Sequence, residues 1–340
     1  MKRITILSSI ILLFLASLQV SAQTVQPGYK ISNRIHLDGD GGWDYLNADG
    51  LTNRLFVSHS TMVQIVDLQK GTLLASIPDT KGVHGIALVP ELNKGYISCG
   101  RDSSVVVFDL NKYAVIDRIK VTGKNPDAIL YDPFKKIIFT FNGGSSNTTV
   151  IDPVTNKVIV TIPLSGKPEF SASDGNGKVY VNIEDKSLVS VINTRTLKVE
   201  NSWSLAPGEE PSGLALDNVT HRLFLVCSNK LMVVMDALTG KVITTLPIGD
   251  RCDGVAFDPA TKRVFSSNGD GTMTVVQEDA GDHYTVVENV ATQKGARTIS
   301  CNTETHKLYL PTAEFEAPTG SGRPAVKPGT FTILEIEPVK

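Results

Sequence analysis

The sequence repeats one short pattern seven times at a nearly constant spacing, and this repetition restricts the folds open to the chain more than any other feature. Each copy has a turn, then an aromatic residue within an apolar and β-branched run. The aromatic positions are Phe56, Tyr96, Phe139, Tyr180, Phe224, Phe265 and Tyr309, which follow one another in steps of 40 to 44 residues. Self-similarity at such a period indicates a repeat architecture in which each copy is one supersecondary unit.

A turn-forming residue precedes most of these aromatics at a fixed distance. Seven residues before five of them stands an acid or an amide: Asp49, Asp132, Asp217, Asp258 and Asn302. The fourth copy has Asp174 six residues before its aromatic, and the second copy has Val89 followed by Pro90. Asp and Asn side chains bond to the backbone two residues further on, and proline at the second turn position fixes φ. The pattern therefore predicts a tight turn in front of each aromatic strand.

Two more apolar runs complete each copy. The first ends in an acid or asparagine, as in VVVFD (105–109), and after a second turn a last run follows, as in TLLASIP (72–78). Apolar residues recur with a period of 2, which is typical of strands, and not with the helical period of 3.6. Four short strands in about 42 residues are the signature of a propeller blade. The chain is therefore predicted to be all-β, a seven-bladed β-propeller with four antiparallel strands per blade.

The ends of the repeat region predict how the propeller closes. The last copy has runs at 297–302, 306–312 and 329–337, and no fourth run follows them. The segment YKISNRIHL (29–37) matches a fourth strand and precedes the first copy. We expect this segment to complete the seventh blade within a single domain that covers residues 23–340. A closed ring leaves only short strand edges exposed.

The first 22 residues predict a secretory signal peptide. Two basic residues, Lys2 and Arg3, precede the apolar run ITILSSIILLFLASLQV, and small residues stand at Ser21-Ala22. A charged start, an apolar run and a small-residue cleavage site define such a leader. A membrane anchor is the alternative, but no basic flank follows the run and polar residues interrupt it. The pattern predicts export, to the periplasm or the cell exterior.

Charge and cysteine content limit the partners. The chain has 33 Lys and Arg against 35 Asp and Glu, and loss of the leader removes Lys2, Arg3 and no acid, which leaves a formal charge of −4. Nucleic-acid binders usually carry a basic surface, so nucleic acid is a disfavoured partner. In an exported protein four cysteines allow three disulfide pairings, and isolated buried thiols fit equally well. These cysteines are Cys99, Cys227, Cys252 and Cys301.

Two of the copies carry a family resemblance. GVAFDPATKRVFSSNGDGTMTVV (254–276) and TTVIDPVTNKVIVTIPLSGKP (148–168) resemble the YVTN-type repeats of the YncE-like group of exported bacterial propellers. The nearest approach to the Tyr-Val-Thr-Asn motif itself is YVNI (180–183). The resemblance covers essentially the whole chain after the leader and implies fold and export. Relatives in that group include surface-layer-associated and ligand-binding proteins and one that binds single-stranded DNA, but none of these functions is tied to residues found in this chain.

Positions that the repeats do not copy are the candidates for function. The residue just before the innermost strand of each blade should open on one mouth of the central channel, and the seven copies place there Asp44, His84, Asp127, Glu169, Ser212, Asp253 and Arg297. The end of the second strand should open on the same face and adds His59, Arg101, Asn142, Glu184 and Asn268. Crowded carboxylates in a partly dry site have raised pKa values or bind a cation. These two sets therefore predict a polar ligand site at the channel mouth.

Several residues of this predicted site are suited to hold a divalent cation. The candidate metal ligands are Asp44, His84, Asp127, Glu169 and Asp253. Carboxylate oxygens suit Ca²⁺ or Mg²⁺, and a histidine admits zinc, iron or manganese. Arg297 and Arg101 could instead clamp an anionic ligand, because a guanidinium group fits carboxylate and phosphate.

Three functions fit this sequence. The first is an exported, monomeric, non-catalytic propeller that binds a small molecule, glycan or peptide at the channel mouth. The second is a metal-assisted hydrolase, lactonase or lyase, in which the carboxylates hold the cation and His84 or His59 moves protons. The third, single-stranded nucleic-acid binding, rests on family analogy alone, and the acidic mouth disfavours it.

A long connection in the last copy points to the same face. Residues 314–328 (EFEAPTGSGRPAVKP) join the second and third strands, where the other copies need only a few residues. Long loops without structure of their own are usually functional or disordered, and the Pro and Gly content here permits both. An ordered loop would lie over the mouth as a flap that carries Arg323.

Overall fold

The computed structural model describes residues 28–317 and 324–339 of the chain. In this part of the chain 28 strands form seven four-stranded antiparallel sheets, and the helical content consists of two 3₁₀ turns, Pro90–Leu92 and Glu184–Lys186. The predicted seven-bladed β-propeller is confirmed. The predicted leader, residues 1–22, lies outside the described residues.

The strands are grouped here by their place in the blade. The innermost strands are β2 (Trp43–Asp49), β6 (Val83–Val89), β10 (Pro126–Asp132), β14 (Pro168–Ser173), β18 (Pro211–Asp217), β22 (Cys252–Asp258) and β26 (Ser300–Asn302). The second strands are β3 (Arg54–His59), β7 (Lys94–Cys99), β11 (Ile137–Asn142), β15 (Lys178–Ile183), β19 (Arg222–Cys227), β23 (Arg263–Asn268) and β27 (Lys307–Thr312). Innermost strands of adjacent blades contact one another around the whole ring and enclose the channel.

The outer half of each blade is built from the remaining strands. The third strands are β4 (Met62–Asp67), β8 (Ser104–Asp109), β12 (Asn147–Asp152), β16 (Leu188–Asn193), β20 (Leu231–Asp236), β24 (Thr272–Glu278) and β28 (Thr332–Pro338). The outermost strands are β5 (Thr72–Ile77), β9 (Val115–Lys120), β13 (Lys157–Pro163), β17 (Lys198–Ser204), β21 (Val242–Pro247), β25 (Tyr284–Ala291) and β1 (Tyr29–His36). Exposed side chains concentrate in this last group.

The N-terminal strand closes the ring as predicted. β1 pairs antiparallel with β28, from Tyr29 opposite Pro338 to His36 opposite Thr332, and completes the sheet of β26 and β27. The innermost strand of this blade, Ser300–Asn302, is shorter than the predicted 297–302. The Arg297 carbonyl accepts a hydrogen bond from the Ser267 hydroxyl of the sixth blade (2.5 Å).

The core lies between the blades. The buried apolar side chains form seven clusters, each lying between two neighbouring blades, and Tyr45 of the first blade joins the one between the third and fourth. The seven repeated aromatics belong to this core, and each is at most 1% exposed. Burial of one such side chain contributes roughly 1.5–3 kcal/mol to folding. The repeat is therefore copied because each blade needs its neighbours to cover its faces.

The turns in front of the second strands follow the sequence prediction. In six blades the residue just before the second strand has φ between 53° and 59°, and these residues are Asn53, Asn93, Lys136, His221, Lys262 and His306. In the fourth blade Gly177 takes this place with φ 117°. A positive φ reverses the chain tightly, and the acids at the start of these turns accept backbone hydrogen bonds, as Asp217 does from Val219 (2.8 Å).

Candidate binding site at the channel mouth

A β-bulge at the start of the innermost strands presents the uncopied residues. In β2 the ladder pairs Trp43 with His59 and next Leu46 with Val57, three steps along one strand against two along the other. The same single extra residue occurs at the start of the other five full-length innermost strands. The residues released from the ladder include Asp44, His84, Asp127, Glu169, Ser212 and Asp253. A bulge re-aims side chains, and here it turns them towards the channel mouth.

Serines of the second strands bond the backbone that the bulges leave unpaired. The Ser58 hydroxyl accepts from the Asp44 N–H (3.0 Å) and donates to the Tyr45 carbonyl (2.8 Å). Ser98 accepts from the Gly85 N–H (2.8 Å) and donates to the Asp127 carbonyl of the next blade. The Ser267 hydroxyl donates to the Gly254 carbonyl (3.1 Å). Since an unpaired buried backbone group is costly, these hydroxyls fix the bulges in one geometry.

His84 lies between two carboxylates. Its Nδ1 is 2.5 Å from Asp44 Oδ2 and 3.5 Å from Asp127 Oδ1. Burial alone would lower the pKa of His84, but the hydrogen bond that it donates to Asp44 and the charges of both carboxylates outweigh burial and raise the pKa to about 9. Burial and the nearby Asp44 charge raise the pKa of the Asp127 carboxyl, although the His84 charge opposes them. These three side chains come from three adjacent blades and form one cluster.

Arg297 pairs with Asp253 on the other side of the mouth. Its Nε donates to Asp253 Oδ2 at 2.7 Å, and its Nη2 donates to the Trp43 carbonyl at 3.2 Å and lies 3.8 Å from Asp44 Oδ1. Burial raises the pKa of Asp253, and the Arg297 charge works against this rise. These contacts occupy the guanidinium group, so Arg297 holds the carboxylates of Asp253 and Asp44 in place. It is not free to clamp an anionic ligand.

Glu169 occupies a third part of the mouth. Its Oε1 accepts from the Tyr45 hydroxyl at 3.4 Å, and its Oε2 lies 3.3 Å from Lys167 Nζ, which also forms an ion pair with Glu184. Burial raises the pKa of Glu169 to about 8, and the nearby Asp127 charge adds to the rise while Lys167 opposes it. The Tyr45 hydroxyl is itself buried, and burial raises its pKa well above the usual range.

Two buried carboxylate oxygens of the mouth, Asp127 Oδ1 and Glu169 Oε2, accept no well-formed hydrogen bond in the described part of the chain. Their charged neighbours are His84 Nδ1, 3.5 Å from Asp127 Oδ1, and Lys167 Nζ, 3.3 Å from Glu169 Oε2. Asp127 is only 7% exposed, so water does not reach it freely. A buried acceptor without a partner destabilises a fold by about 1–3 kcal/mol, more when it is charged. Both oxygens are therefore open to a donor from a ligand.

A cavity of about 330 Å³ continues from the mouth into the channel. Its walls are formed by the residues that follow the mouth positions along the innermost strands. Most of these are apolar, among them Leu46, Ile86, Ala128, Ile129, Phe170 and Leu214, and the polar ones include Asn47, Ser171 and Ser173. The entrance is thus polar and acidic, and the space below it is mainly apolar. Ligand sites often have this combination.

Most of the predicted outer ring lies away from this cluster. Asn142 donates to Asn147 and Thr149, and Asn268 donates to Thr272 and Thr274, within their own blades. Only Glu184 joins the mouth, through Lys167.

The two remaining outer-ring residues are occupied by local contacts. The His59 ring is fully buried, stacks on Phe331 at 3.9 Å and bonds Gln64 through Nδ1. Arg101 runs along Gly82, where an added Cβ would lie 2.6 Å from Arg101 Cγ. Neither residue contacts the carboxylates of the mouth through a described hydrogen bond or ion pair.

Two residues of the mouth were not predicted from the sequence, and a third was predicted to belong to it but does not. Tyr45 and Lys167 both contact Glu169, yet both were missed. Each is close in sequence to a predicted mouth residue, and this proximity is the signal that could have found them. Ser212 does not face the cluster, since its hydroxyl donates to the Cys252 carbonyl (3.1 Å).

The cysteines and the long connection also have defined positions. All four cysteines are free thiols, three of them buried, so the isolated-thiol alternative describes this structure. The described ends of the 314–328 connection meet at a bridge between Phe315 and Val326, and Phe315 packs on Trp43 with ring centroids 6.1 Å apart. Arg323 lies outside the described residues. These described ends lie beside the mouth at the seventh and first blades.

No protein-family profile matches the chain. Among curated proteins it is similar to antigen Lp49 of Leptospira interrogans, with 24% identity over 230 residues, 60% of this chain and 48% of the relative. The chain thus spans about half the length of the curated relative that it matches.

Solved structures show the same fold. A chain of the hydrazine synthase of Kuenenia stuttgartiensis matches with a TM-score of 0.70 and 18% identity, over 83% of this chain and 96% of that one. A chain of a mitotic checkpoint complex matches with a TM-score of 0.73 and 12% identity, over 89% and 96%. At these identities the likeness shows the propeller fold alone. Among the described residues there is no helix with the length and apolar character that a membrane crossing requires.

Proposed function

We propose that this protein is an exported propeller of the YVTN type that binds a small molecule at the acidic channel mouth. The ligand would carry an amine or hydroxyl group for the carboxylates and an apolar part that enters the channel. A small molecule, a sugar or the end of a peptide offers this chemistry.

One observation carries the proposal: Asp127 Oδ1 and Glu169 Oε2, which accept no well-formed hydrogen bond in the described residues, lie beside a mainly apolar cavity of about 330 Å³. A hydrogen bond to a charged group contributes about 1.5–3 kcal/mol, which corresponds to roughly 10- to 150-fold in affinity. A ligand that donates to these oxygens would thus recover energy that the empty site loses. Nucleic acid is disfavoured as a ligand, because the acidic mouth repels its phosphates.

Thermal-shift measurements with three probes test the proposal. Putrescine, glucosamine and the dipeptide Gly-Phe each present an ammonium group, and one of them should raise the melting temperature of the protein in the presence of a chelator. Asp127→Asn and Glu169→Gln should each weaken that probe at least about tenfold, whereas Glu304→Gln, on the exposed opposite face, should not. The proposal is wrong if no probe binds, or if a probe binds both mouth variants as tightly as the wild type.

Export is the second part of the proposal and rests on the leader pattern alone. A fusion of residues 1–40 to a reporter enzyme that is active only outside the cytoplasm should be active. The same fusion with Leu12, Leu13 and Leu15 changed to Lys should be inactive, because a charged run no longer works as a leader. Equal activity of the two fusions would contradict export by this segment.

A further inference from the structure

We infer that Asp44, His84 and Asp127 bind one divalent first-row transition-metal ion at the channel mouth. The inference deepens the proposed function, since the metal would occupy one side of the same mouth and leave Glu169 for the ligand. It is tested with metal alone, so its failure and the failure of small-molecule binding can be told apart.

The geometry of the three side chains is close to a metal-binding arrangement. Zinc and manganese bind nitrogen and oxygen ligands at about 2.0–2.2 Å, which places neighbouring ligand atoms about 3.0–3.4 Å apart in octahedral or tetrahedral geometry. His84 Nδ1 lies 3.5 Å from Asp127 Oδ1 and 2.5 Å from Asp44 Oδ2. Metal binding would require Asp44 Oδ2 to move about 0.5 Å away from His84 Nδ1. One ligand atom from each residue already lies within 4.8 Å of the others.

The unpaired oxygen of Asp127 is an independent sign that a partner is missing. Asp127 is 7% exposed, and no donor in the described chain bonds to its Oδ1. Its contact with His84 Nδ1 is at 3.5 Å, too long for a good hydrogen bond, because that nitrogen is directed to Asp44. A metal ion between the three atoms would replace the shared proton and would satisfy Asp127 at the same time.

The surroundings hold the three ligands in place, as in known metal centres. The Asp44 backbone is fixed by Ser58, and its other oxygen, Oδ1, faces Arg297 at 3.8 Å. The position of the His84 ring requires a glycine at residue 100, since a Cβ at Gly100 would lie 2.8 Å from His84 Nε2. One imidazole and two carboxylates suit Zn²⁺, Mn²⁺ or Fe²⁺ better than they suit Ca²⁺, which prefers oxygen ligands alone.

The chain offers matched histidines for comparison. His283 faces a single carboxylate, Asp279, at 3.4 Å, and His306 faces Asp258 at 2.9 Å. Elsewhere in residues 28–317 and 324–339, no group of three His, Cys, Asp or Glu side chains converges as the mouth cluster does. An exposed His–Asp pair is therefore present as an internal control.

Calorimetric titration of the chelator-stripped, full-length protein with Zn²⁺, Mn²⁺ and Ca²⁺ tests the site. We expect one equivalent of Zn²⁺ or Mn²⁺ to bind, with a rise in melting temperature. Loss of a direct ligand in Asp127→Asn or His84→Gln should weaken binding by about 100-fold or more, and Gly100→Ala, whose methyl group would press on the His84 ring and on Asn125, by at least about tenfold. His283→Gln should bind as the wild type does.

Cobalt(II) absorption gives a readout that a merely structural role would not change. Co²⁺ bound to the wild type should show ligand-field bands that are absent in Asp127→Asn, whose shape is almost unchanged and whose fold is checked by circular dichroism. Should His84→Gln fail to fold, Asp127→Asn and Gly100→Ala decide the question. The inference is overturned if the stripped protein binds no Zn²⁺ or Mn²⁺ saturably, if Asp127→Asn binds as tightly as the wild type, or if only Ca²⁺ binds, independently of His84.

Discussion

Replacement of Glu169 by glutamine should make the metal-free protein less sensitive to alkaline pH. Glu169 is 12% exposed at its side chain, and burial together with the Asp127 charge raises its pKa from 4.5 to about 8. Lys167, Tyr45, Glu184 and Asp253 also face it or contribute to its field. A carboxyl group with a raised pKa binds its proton more tightly in the folded protein than in the unfolded chain. Its contribution to stability is therefore fully present below the unfolded-state pKa of 4.5, declines as the pH rises towards 8, and is lost above that value.

The size of the effect follows from the shift. One bound proton changes the free energy of unfolding by about 1.4 kcal/mol per pH unit between the two pKa values. From pH 6 to pH 8 the wild type should lose about 2 kcal/mol through Glu169 alone, since titration is half complete at pH 8. A domain of about 300 residues unfolds with an entropy of roughly 0.6 kcal/mol per degree, so this loss corresponds to about 3 °C in melting temperature.

Thermal melts at half-unit steps between pH 5.5 and 9, in the presence of a chelator, measure the effect. The Glu169→Gln profile should fall less steeply than the wild-type profile, by about 3 °C between pH 6 and pH 8, and the variant should be the more stable protein above pH 8. Other titrating groups of the mouth, Asp127 and His84 among them, are present in both proteins, so the difference between profiles reports on Glu169. The exposed Glu304→Gln variant is the control and should follow the wild type. Parallel profiles for Glu169→Gln and the wild type would refute the argument that burial holds a proton on Glu169.

Three further results are expected. Phe139→Ala should lower the free energy of unfolding by about 3–5 kcal/mol in denaturant melts, because Phe139 is fully buried between two blades; a loss below 1 kcal/mol would contradict this packing. Cys99 and Cys227 should not react with a thiol reagent at pH 8 until the protein is denatured, because burial raises the pKa of each thiol to about 12; rapid labelling of the native protein would contradict this. Deletion of residues 28–36 should give aggregated or unfolded protein in size-exclusion chromatography, because β28 would lose its partner; a folded monomer would show that β1 is dispensable.

The fold could be predicted because its determinants are local and repeated. The aromatic residue and the period-2 runs occur in every blade and a turn-forming residue precedes each aromatic, so seven weak signals support one another. The closing pair of β1 and β28 was also predictable, since only one strand-like segment was left over for one incomplete blade. These features depend on the spacing of residues along the chain, which can be measured directly from the sequence.

The details of the mouth depend on three-dimensional packing and were less accessible. The ring of uncopied residues was found by position, but nothing in the sequence assigns His84 to Asp44 or Arg297 to Asp253, since these pairs come from different blades. His59 occupies a position equivalent to the outer ring, yet it stacks on Phe331 in the core between the first and last blades. The position of a residue in the sequence predicts the face of the propeller on which it lies. Packing against the neighbouring blade determines which residues its side chain contacts.

The extra residue at the start of the innermost strands has a consequence for how such a protein can change. A side chain within the ladder must fit the pleat, so its replacement is felt by the whole blade. The mouth residues stand outside the ladder on backbone that second-strand serines already bond in at least three blades. Substitution there alters the channel mouth and leaves strand register untouched. The propeller is in this sense a fixed frame with six exchangeable positions, and if the mouth binds a ligand as proposed, new preferences could arise one blade at a time without loss of the scaffold.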